Sequence, residues 1–400
     1  MKNIWCDRMV CDGDRAWMTG ANFNALFSLD FNTKTYEFIS DFPSVPIMDY
    51  RVNLVCMKVK DELFFFPDWG KCIWIYHMAS KTFGKIILNN PKGVRVLIGM
   101  VFYCNHCIYA FSNGLEQIIE ISVSQKEVIG VYSISEYIQE SGITRISSEG
   151  CVVNENIYFT IPEKNLVCEF STKTKTILGF PLDGNIVPQT ICHDGENFWM
   201  TGKTKEIMKW NKEKNKVISV YPFPAVVGWF ESRNGAFLED IEGERCPVPM
   251  FRWSVKVKDK IWFIPYVANK IIYIDKNTCE IGICDIMGEY EDEKSWNRAE
   301  KVKYCFECIV RERFIFLYSY KNRRYLLIDT ITNAAQMVDI ELTEESSKKL
   351  FRFIRENREC MMECNNIKVF DMLWNFDKNE GENAVHFGKY IWEKLSEERV

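Results

Sequence analysis

The chain has 400 residues, of which 47 % are apolar, 26 % charged and 14 % aromatic, enough apolar material for a large packed core and too much for a disordered chain. Fifty Lys and Arg against 55 Asp and Glu leave a net charge of -5, which argues against a surface built to coat nucleic acid or an anionic membrane. Residues 1–12 carry charges at positions 2, 7, 8 and 12 and no apolar run of signal-peptide length, and the longest apolar runs elsewhere are strand-sized, so no membrane span is expected.

Sixteen cysteines without a leader or an Asn-X-Ser/Thr sequon fit a reducing cytoplasm, where thiols act as small buried hydrophobes rather than disulfides. Scarce alanine beside abundant Lys, Ile, Asn and Phe points to an AT-rich bacterial genome.

From the N-terminus onward one pattern recurs: DGDRAWMTG (12–20), KDELFFFPD (60–68), NHCIYAFSN (105–113), NENIYFTIP (154–162), DGENFWMTG (194–202), KDKIWFIPY (258–266) and RERFIFLYS (311–319). Each unit has an anchor (Trp17, Phe64, Tyr109, Tyr158, Trp199, Trp262, Ile315) followed 12 to 14 residues later by a turn former (Asp30, His77, Ser122, Ser171, Asn211, Asp275, Asp329). Anchor-to-anchor steps of 41 to 63 residues have the period of propeller blades rather than of helical solenoids. Each unit reads as four short strands, A to D, with near-continuous apolar runs such as IWFI and IIYI in strands B and C, as expected when neighbouring blades cover both faces. Asp12-Gly13 and Asp194-Gly195 predict type I′ turns between A and B, and the residue closing strand C is one that can hydrogen-bond the turn backbone. The fold class is therefore all-β, a seven-bladed β-propeller of four-stranded antiparallel blades over residues 1–340. With four strands in both the first and the last unit, no strand should be exchanged between the termini to close the ring.

DGENFWMTGKTKEIMKWNKEKNKVISVYPFP (194–224) resembles the aspartate-glycine, aromatic, polar-strand repeat of virginiamycin B lyases, and the array as a whole is similar to kelch and NHL propellers. The resemblance implies the superfold. A lyase of that type implies histidines and carboxylates gathered with a metal at the propeller mouth; here His77 sits in a strand-C turn, His106 and His193 beside A–B turns, and His386 in the tail.

Beyond Ile340 the pattern changes to a C-terminal, mainly helical extension (341–400) docked on the propeller. Thr343 before Glu344 and Glu345 reads as a capped helix start with Leu350 and Ile354 on one face, and a second helix is expected from Asn383, with Phe387, Ile391 and Leu395 on one face.

No GxSxG, HExxH, P-loop or dinucleotide fingerprint occurs. Cys104 and Cys107 flank a two-residue turn as cross-strand neighbours, without a second pair to complete a zinc site, while Cys305 and Cys308 in an extended strand point to opposite faces. No metal and no cofactor is expected. The long connections are all of the D-to-A kind: 41–50, 135–142, 221–250 and 285–301. They emerge on one end of the ring, where binding residues concentrate. The third exposes Trp229, Glu231 and Arg233 and the fourth Trp296. Arg51, Arg95, Arg145 and Arg252 recur just before or at the start of strand A, so they should converge on the channel mouth at that end and could fork onto a carboxylate or phosphate. Two functions are compatible with this arrangement. One is a non-enzymatic binding scaffold recognising a partner protein or an anionic, glycan-like ligand at the long-loop face. The other is a lyase or glycoside-acting hydrolase that uses carboxylates such as Glu231, Glu239 or Glu289 there.

Overall fold

The turn that ends each strand C builds the blades. Its closing side chain accepts backbone N–H groups of the turn: Asp30 from Asn32 and Thr33 at 2.8 and 3.0 Å, Asp275 from Asn277 and Thr278 at 2.9 and 3.1 Å, Asn211 from Lys214 at 3.0 Å and Asp329 from Ile331 at 2.9 Å. Ser122 and Ser171 do the same for Gln125 and Thr174. His77 is the exception, its Nδ1 lying 3.0 Å from Glu62 on the paired strand. Four residues after the closing residue, every blade has a non-glycine in the left-handed region: Lys34, Lys81, Lys126, Lys175, Asn215, Cys279 and Asn333, with φ from 42° to 61°. That residue reverses the chain into strand D.

The protein, seen in a computed structural model that describes residues 4, 8–20, 24–43, 53–68, 70–90, 93, 96–137, 146–147, 149–184, 186–228, 237–239, 245–247, 250–266, 268–287, 308–319 and 324–356, is a seven-bladed β-propeller. Strands A to D of blade 1 are Met9–Asp12, Arg15–Thr19, Ala25–Asp30 and Thr35–Asp41. Blade 2 has Asn53–Val59, Glu62–Pro67, Cys72–His77 and Thr82–Ile87, and blade 3 Ile98–Cys104, Cys107–Ser112, Gln117–Ser122 and Glu127–Ser133. Blade 4 has Gly150–Val153, Asn156–Ile161, Leu166–Ser171 and Ile177–Pro181, and blade 5 Cys192–His193, Phe198–Thr201, Glu206–Asn211 and Lys216–Pro222. Blade 6 has Phe251–Val257, Lys260–Pro265, Ile272–Asp275 and Ile281–Ile283, and blade 7 Ile309–Arg311, Phe314–Ser319, Arg324–Asp329 and Ala334–Val338. All pair antiparallel in this order, and the strands A of blades 1 and 2, 2 and 3, 4 and 5, 5 and 6, and 7 and 1 touch one another around the axis.

The cores lie between blades. Separate apolar clusters join blades 1 and 2, 2 and 3, 3 and 4, 4 and 5, and 5 and 6, and one further cluster runs continuously through blades 6, 7 and 1. Anchor residues are buried in these seams, where the ammonium of the next blade covers them: Lys126 lies 5.1 Å from the ring centroid of Phe64, Lys175 4.9 Å from that of Tyr109 and Lys212 5.3 Å from that of Tyr158. Each lysine also meets an acid of the preceding blade, Glu62, Glu120 and Glu169 respectively. Blade 7 corrects the sequence alignment by one residue. Asp329 pairs with Phe314, so the position two residues on, which holds the anchor elsewhere, is Phe316 and not Ile315. The odd spacing of 14 thereby becomes 13.

Two other expectations change. The A–B hairpin of blade 1 turns on Gly13-Asp14, of which only Gly13 has positive φ, and blade 5 uses the longer loop 194–197, so neither Asp-Gly pair makes a type I′ turn; Asn105-His106 and Asn154-Glu155, with both φ positive, do fit that type. Closure also recruits extra strands. Blades 1 and 7 own four strands each, but after leaving blade 6 the chain runs Asp285–Met287 parallel along the outer strand of blade 7, and after blade 7 it runs Glu341–Leu342 parallel along the outer strand of blade 1. A loop assigned to 285–301 thus begins as a strand, and a segment from beyond residue 340 joins the first blade. Its helix, Glu344–Glu356, is capped by Thr343, whose Oγ1 accepts the Ser346 N–H at 3.2 Å, and packs on the outer strand of blade 1 with Leu350 fully buried. The expected helix from Asn383, with Phe387, Ile391 and Leu395, lies outside the described residues.

Replacing Lys175 by Met should lower stability by about 1–3 kcal/mol in urea denaturation, because the stem can still pack while the buried Glu120 loses its cation. Leu342→Ala should cost about 2 kcal/mol, since it empties the position that seals blade 7 to blade 1. An unchanged midpoint in either variant would mean that the seam does not depend on that side chain.

Candidate functional site: the axial mouth

The D-to-A connections deliver the chain to the heads of the seven strands A, and these heads form one end of the axial channel. Blade 1 brings Arg8, the residue before its strand A, which is 4 % exposed. Its guanidinium lies 5.5 Å from the ring centroid of Trp253, across blade 7 in strand A of blade 6. Blade 4 brings Glu149, the residue before its own strand A, 1 % exposed. Its Oε1 accepts both the N–H and the hydroxyl of Ser254 in blade 6, each at 2.6 Å, and its Oε2 accepts the N–H of Ile191 in blade 5 at 3.2 Å. Burial pushes the Glu149 carboxyl well above the usual carboxylate range, against the pull of these donors and of the Arg8 charge. One carboxylate therefore ties three blades together at the mouth.

Blade 2 brings Asn53, the first residue of its strand A, 5 % exposed. Its backbone carbonyl accepts the Thr19 hydroxyl at 3.4 Å, yet neither its side-chain oxygen nor its nitrogen has a hydrogen-bond partner. A buried amide with both ends unpaired costs several kcal/mol in an apolar setting and marks a position that a polar group of a ligand or a water would satisfy.

Of the sequence candidates, Arg252 lies at this end, in strand A of blade 6, half-buried with its guanidinium 5.0 Å from the ring centroid of Tyr266. Arg51, Arg95, Arg145, Trp229, Glu231, Arg233, Trp296 and Glu289 lie outside the described residues, and of Glu239 only the backbone is described, in the short hairpin Phe237–Glu239 with Arg245–Pro247. Arg8, Asn53 and Glu149 were missed. Arg8 stands nine residues before its anchor, almost the spacing of Arg252, and the same search extended to blade 1 would have found it. Asn53 had no comparable signal, since no Asn recurs at its register, and Glu149 shares its place nine residues before the anchor only with Glu307, once the blade 7 anchor is Phe316.

His77 and His193 are held in their own blades: the first pairs with Glu62, and the second packs tilted against Phe198, ring centroids 4.6 Å apart, while its Nδ1 accepts the Gly195 N–H. His106 is a turn residue with φ of 64°. Among the described residues no group of three or more His, Cys, Asp or Glu is placed to hold a metal ion. Cys104 and Cys107 face each other across the A–B hairpin of blade 3 as free thiols, and Cys308 is a buried free thiol.

No family model matches the chain, and no curated protein does. Among solved structures, it is similar to virginiamycin B lyase from Staphylococcus aureus, with a TM-score of 0.54 at 12 % identity over 79 % of this chain and 92 % of that one. A streptogramin B lyase superposes with a TM-score of 0.51 at 14 % identity over 82 % and 93 %, and the WD40 repeats of RRP9 with 0.53 at 10 % over 79 % and 87 %. At these identities the likeness is one of fold.

Two of the shifted acids, Glu149 and Glu120, give stability opposite slopes with pH. Above the ordinary value of 4.5 the unfolded chain ionises Glu149 while the folded protein keeps it protonated, so this group makes stability fall as pH rises from 4.5 towards its raised folded value. Burial would also raise Glu120, but hydrogen bonds from Lys175, Tyr132 and Tyr109 outweigh it and hold the group below 4.5, so its contribution is lost as pH falls through that lower value. Glu149→Gln should flatten the fall above pH 4.5 in a urea series and leave the acid limb in place; an identical slope in variant and parent would show that Glu149 titrates normally.

Proposed function

We propose that the protein is a binding propeller that captures an anionic or glycan-like ligand, or a carboxylate-bearing segment of a partner protein, at the axial mouth. The observation that carries this reading is the buried, unpaired amide of Asn53 in the same ring of strand heads as Arg8 and Arg252. An amide that can both donate and accept, beside guanidiniums that pair in forked fashion with oxyanions, suits a ligand bearing carboxylate or phosphate together with hydroxyl or amide groups. Propellers with this fold include WD40 proteins as well as lyases, so the fold is compatible with either class. Binding is favoured over catalysis because Glu149, the buried acid at the mouth, spends its oxygens on the backbone and hydroxyl of neighbouring blades and so acts as a tie.

The test is a thermal-shift and calorimetric screen with uronic-acid oligosaccharides, sugar phosphates and short acidic peptides. A ligand should raise the melting temperature, and Asn53→Leu, Arg252→Ala and Arg95→Ala should each weaken it roughly tenfold or more, as expected for a lost charged or buried hydrogen bond of about 2 kcal/mol. Asn53→Leu should leave the unliganded protein as stable as the parent or more so. No shift with any anion, or affinities unmoved by all three substitutions, would refute the site, and turnover of an oligosaccharide would establish the lyase or hydrolase reading instead.

A further inference from the structure

The two strands that seal the ring follow one rule. In blade 7, the N–H of Asp285 donates to the carbonyl of the left-handed residue Asn333 at 2.9 Å, and Ile286 then lies opposite Ala335. In blade 1, the N–H of Glu341 donates to the carbonyl of the left-handed residue Lys34 at 3.3 Å, and Leu342 lies opposite Tyr36. Both guests are an acidic residue followed by a branched aliphatic one, both run parallel to the host, and both start at the same register. Beneath them Ala335 and Tyr36 are fully buried, and the next host residues are polar, Gln336 and Glu37.

Blades 3 and 5 present the same edge without a guest, whereas in blade 4 the Ile177 carbonyl, the counterpart of the Tyr36 carbonyl that takes the Thr343 N–H in blade 1, already accepts the Tyr137 hydroxyl at 3.2 Å. Among the described residues, no backbone N–H meets the corresponding carbonyls of Lys126 and Asn215. At the position of Ala335 and Tyr36 blades 3 and 5 carry Val128 and Val217, each only half-buried. Where the sealed blades are polar, these carry Ile129 and Ile218, exposed at 47 and 40 %, with Val131 and Val220 two residues on at 51 and 48 %. Exposed branched residues on an open strand edge invite pairing with another chain. The turn that begins the edge of blade 5 carries exposed Lys214 and Lys216 beside Glu213, whereas blade 3 has the exposed acid Glu127 at the register where each guest carries its own acid.

We propose that the outer edge of blade 5 binds an extended segment of a partner protein as a parallel fifth strand, selecting an acidic residue followed by a branched aliphatic one. The chain's own segments are the templates for this partner. Lys214 and Lys216 draw in its acidic residue, and the exposed Ile218 and Val220 take its aliphatic one. This surface lies on the circumference of the ring and is independent of the axial mouth.

The probe is a fluorescein-labelled peptide with the sequence of residues 338–344, Val-Asp-Ile-Glu-Leu-Thr-Glu, followed by anisotropy against the full-length protein. Saturable binding is expected. It should weaken at least tenfold when the peptide leucine is replaced by aspartate, and likewise for a protein carrying Ile218→Glu and Val220→Glu. Hydrogen exchange should slow on the outer strand of blade 5 when the peptide is present, a readout that needs no variant. The absence of saturable binding up to millimolar peptide would overturn the proposal. So would protection confined to blade 1, which would mean that the peptide only displaces Glu341–Leu342. Binding of an anion at the mouth should be unchanged in the double variant, so failure here and failure of the axial site are separately visible.

Discussion

The ring depends on one repeated act of the backbone: a left-handed turn four residues after the end of strand C, which swings each C–D hairpin against the blade before it. A non-glycine residue in that conformation costs roughly 1–2 kcal/mol. The sequence accepts the cost seven times, and the contacts explain why. Lys126 and Lys175, both left-handed, reach Glu62 and Glu120 of the preceding blade; Asn333 accepts the Lys260 ammonium of blade 6 at 2.6 Å; and Cys279 receives the Tyr221 hydroxyl of blade 5 at 3.2 Å. In blade 5 the left-handed residue is Asn215, and Lys212 of the same turn makes the clasp instead, to Glu169 at 2.6 Å. Glycine would have relieved the strain and supplied no arm.

The same geometry explains how the ring closes. A left-handed residue leaves its carbonyl directed at the outer edge, and in blades 7 and 1 that carbonyl takes the first N–H of a parallel strand. The segment after each of the last two blades overruns onto the next, so blade 7 is held at both flanks by the chain that precedes and follows it. This is where the apolar core is continuous across three blades, whereas elsewhere each seam has a core of its own. The junction of blades 7 and 1 is the one that must form between chain ends distant in sequence, and loop-closure entropy weighs most there. The extra strand Glu341–Leu342 at that junction is a physical answer to that cost.

The blades were legible because their chemistry is local and repeated. An aromatic in strand B and a side-chain acceptor 13 residues on are both needed within one hairpin, so they leave a period that can be counted. The misplaced anchor at Ile315 shows the limit: in FIFLYS every residue is apolar, and composition cannot say which of two adjacent residues faces the seam, whereas the pairing of Asp329 with Phe314 can. The Asp-Gly pairs misled because positive φ fell on Lys60, Lys258 and Glu312 in other blades, where the register of the hairpin, and not residue preference, dictated it. The fifth strands are two and three residues long, too short to leave any alternation. Arg252 was visible from its place before strand A. Arg8, Asn53 and Glu149 lie buried at the strand heads of three blades, 1, 2 and 4, and only the closed ring brings those heads together.

The two ends of the ring have divided the work. At the end where the A–B and C–D turns emerge, charges are spent on holding blades to one another: Lys58 meets Asp12 at 3.0 Å, Arg311 meets Asp14, and Lys256 donates to the Asp194 carbonyl at 2.6 Å, beside the lysine clasps. Those contacts recur from seam to seam and fix turn lengths, so that end has little freedom to vary. The opposite end receives the long D–A connections and needs only that strands A begin in the right place. There Glu149 bridges blades 4, 5 and 6 through hydrogen bonds and the Arg8 guanidinium reaches from blade 1 to blade 6, so the mouth is braced by its own polar side chains. A binding site needs its polar groups fixed in position before the ligand arrives, since each side chain ordered on binding subtracts from affinity. The clasped end supplies that rigidity to the whole ring, and the braced mouth leaves Asn53 held in place with its amide still unpaired.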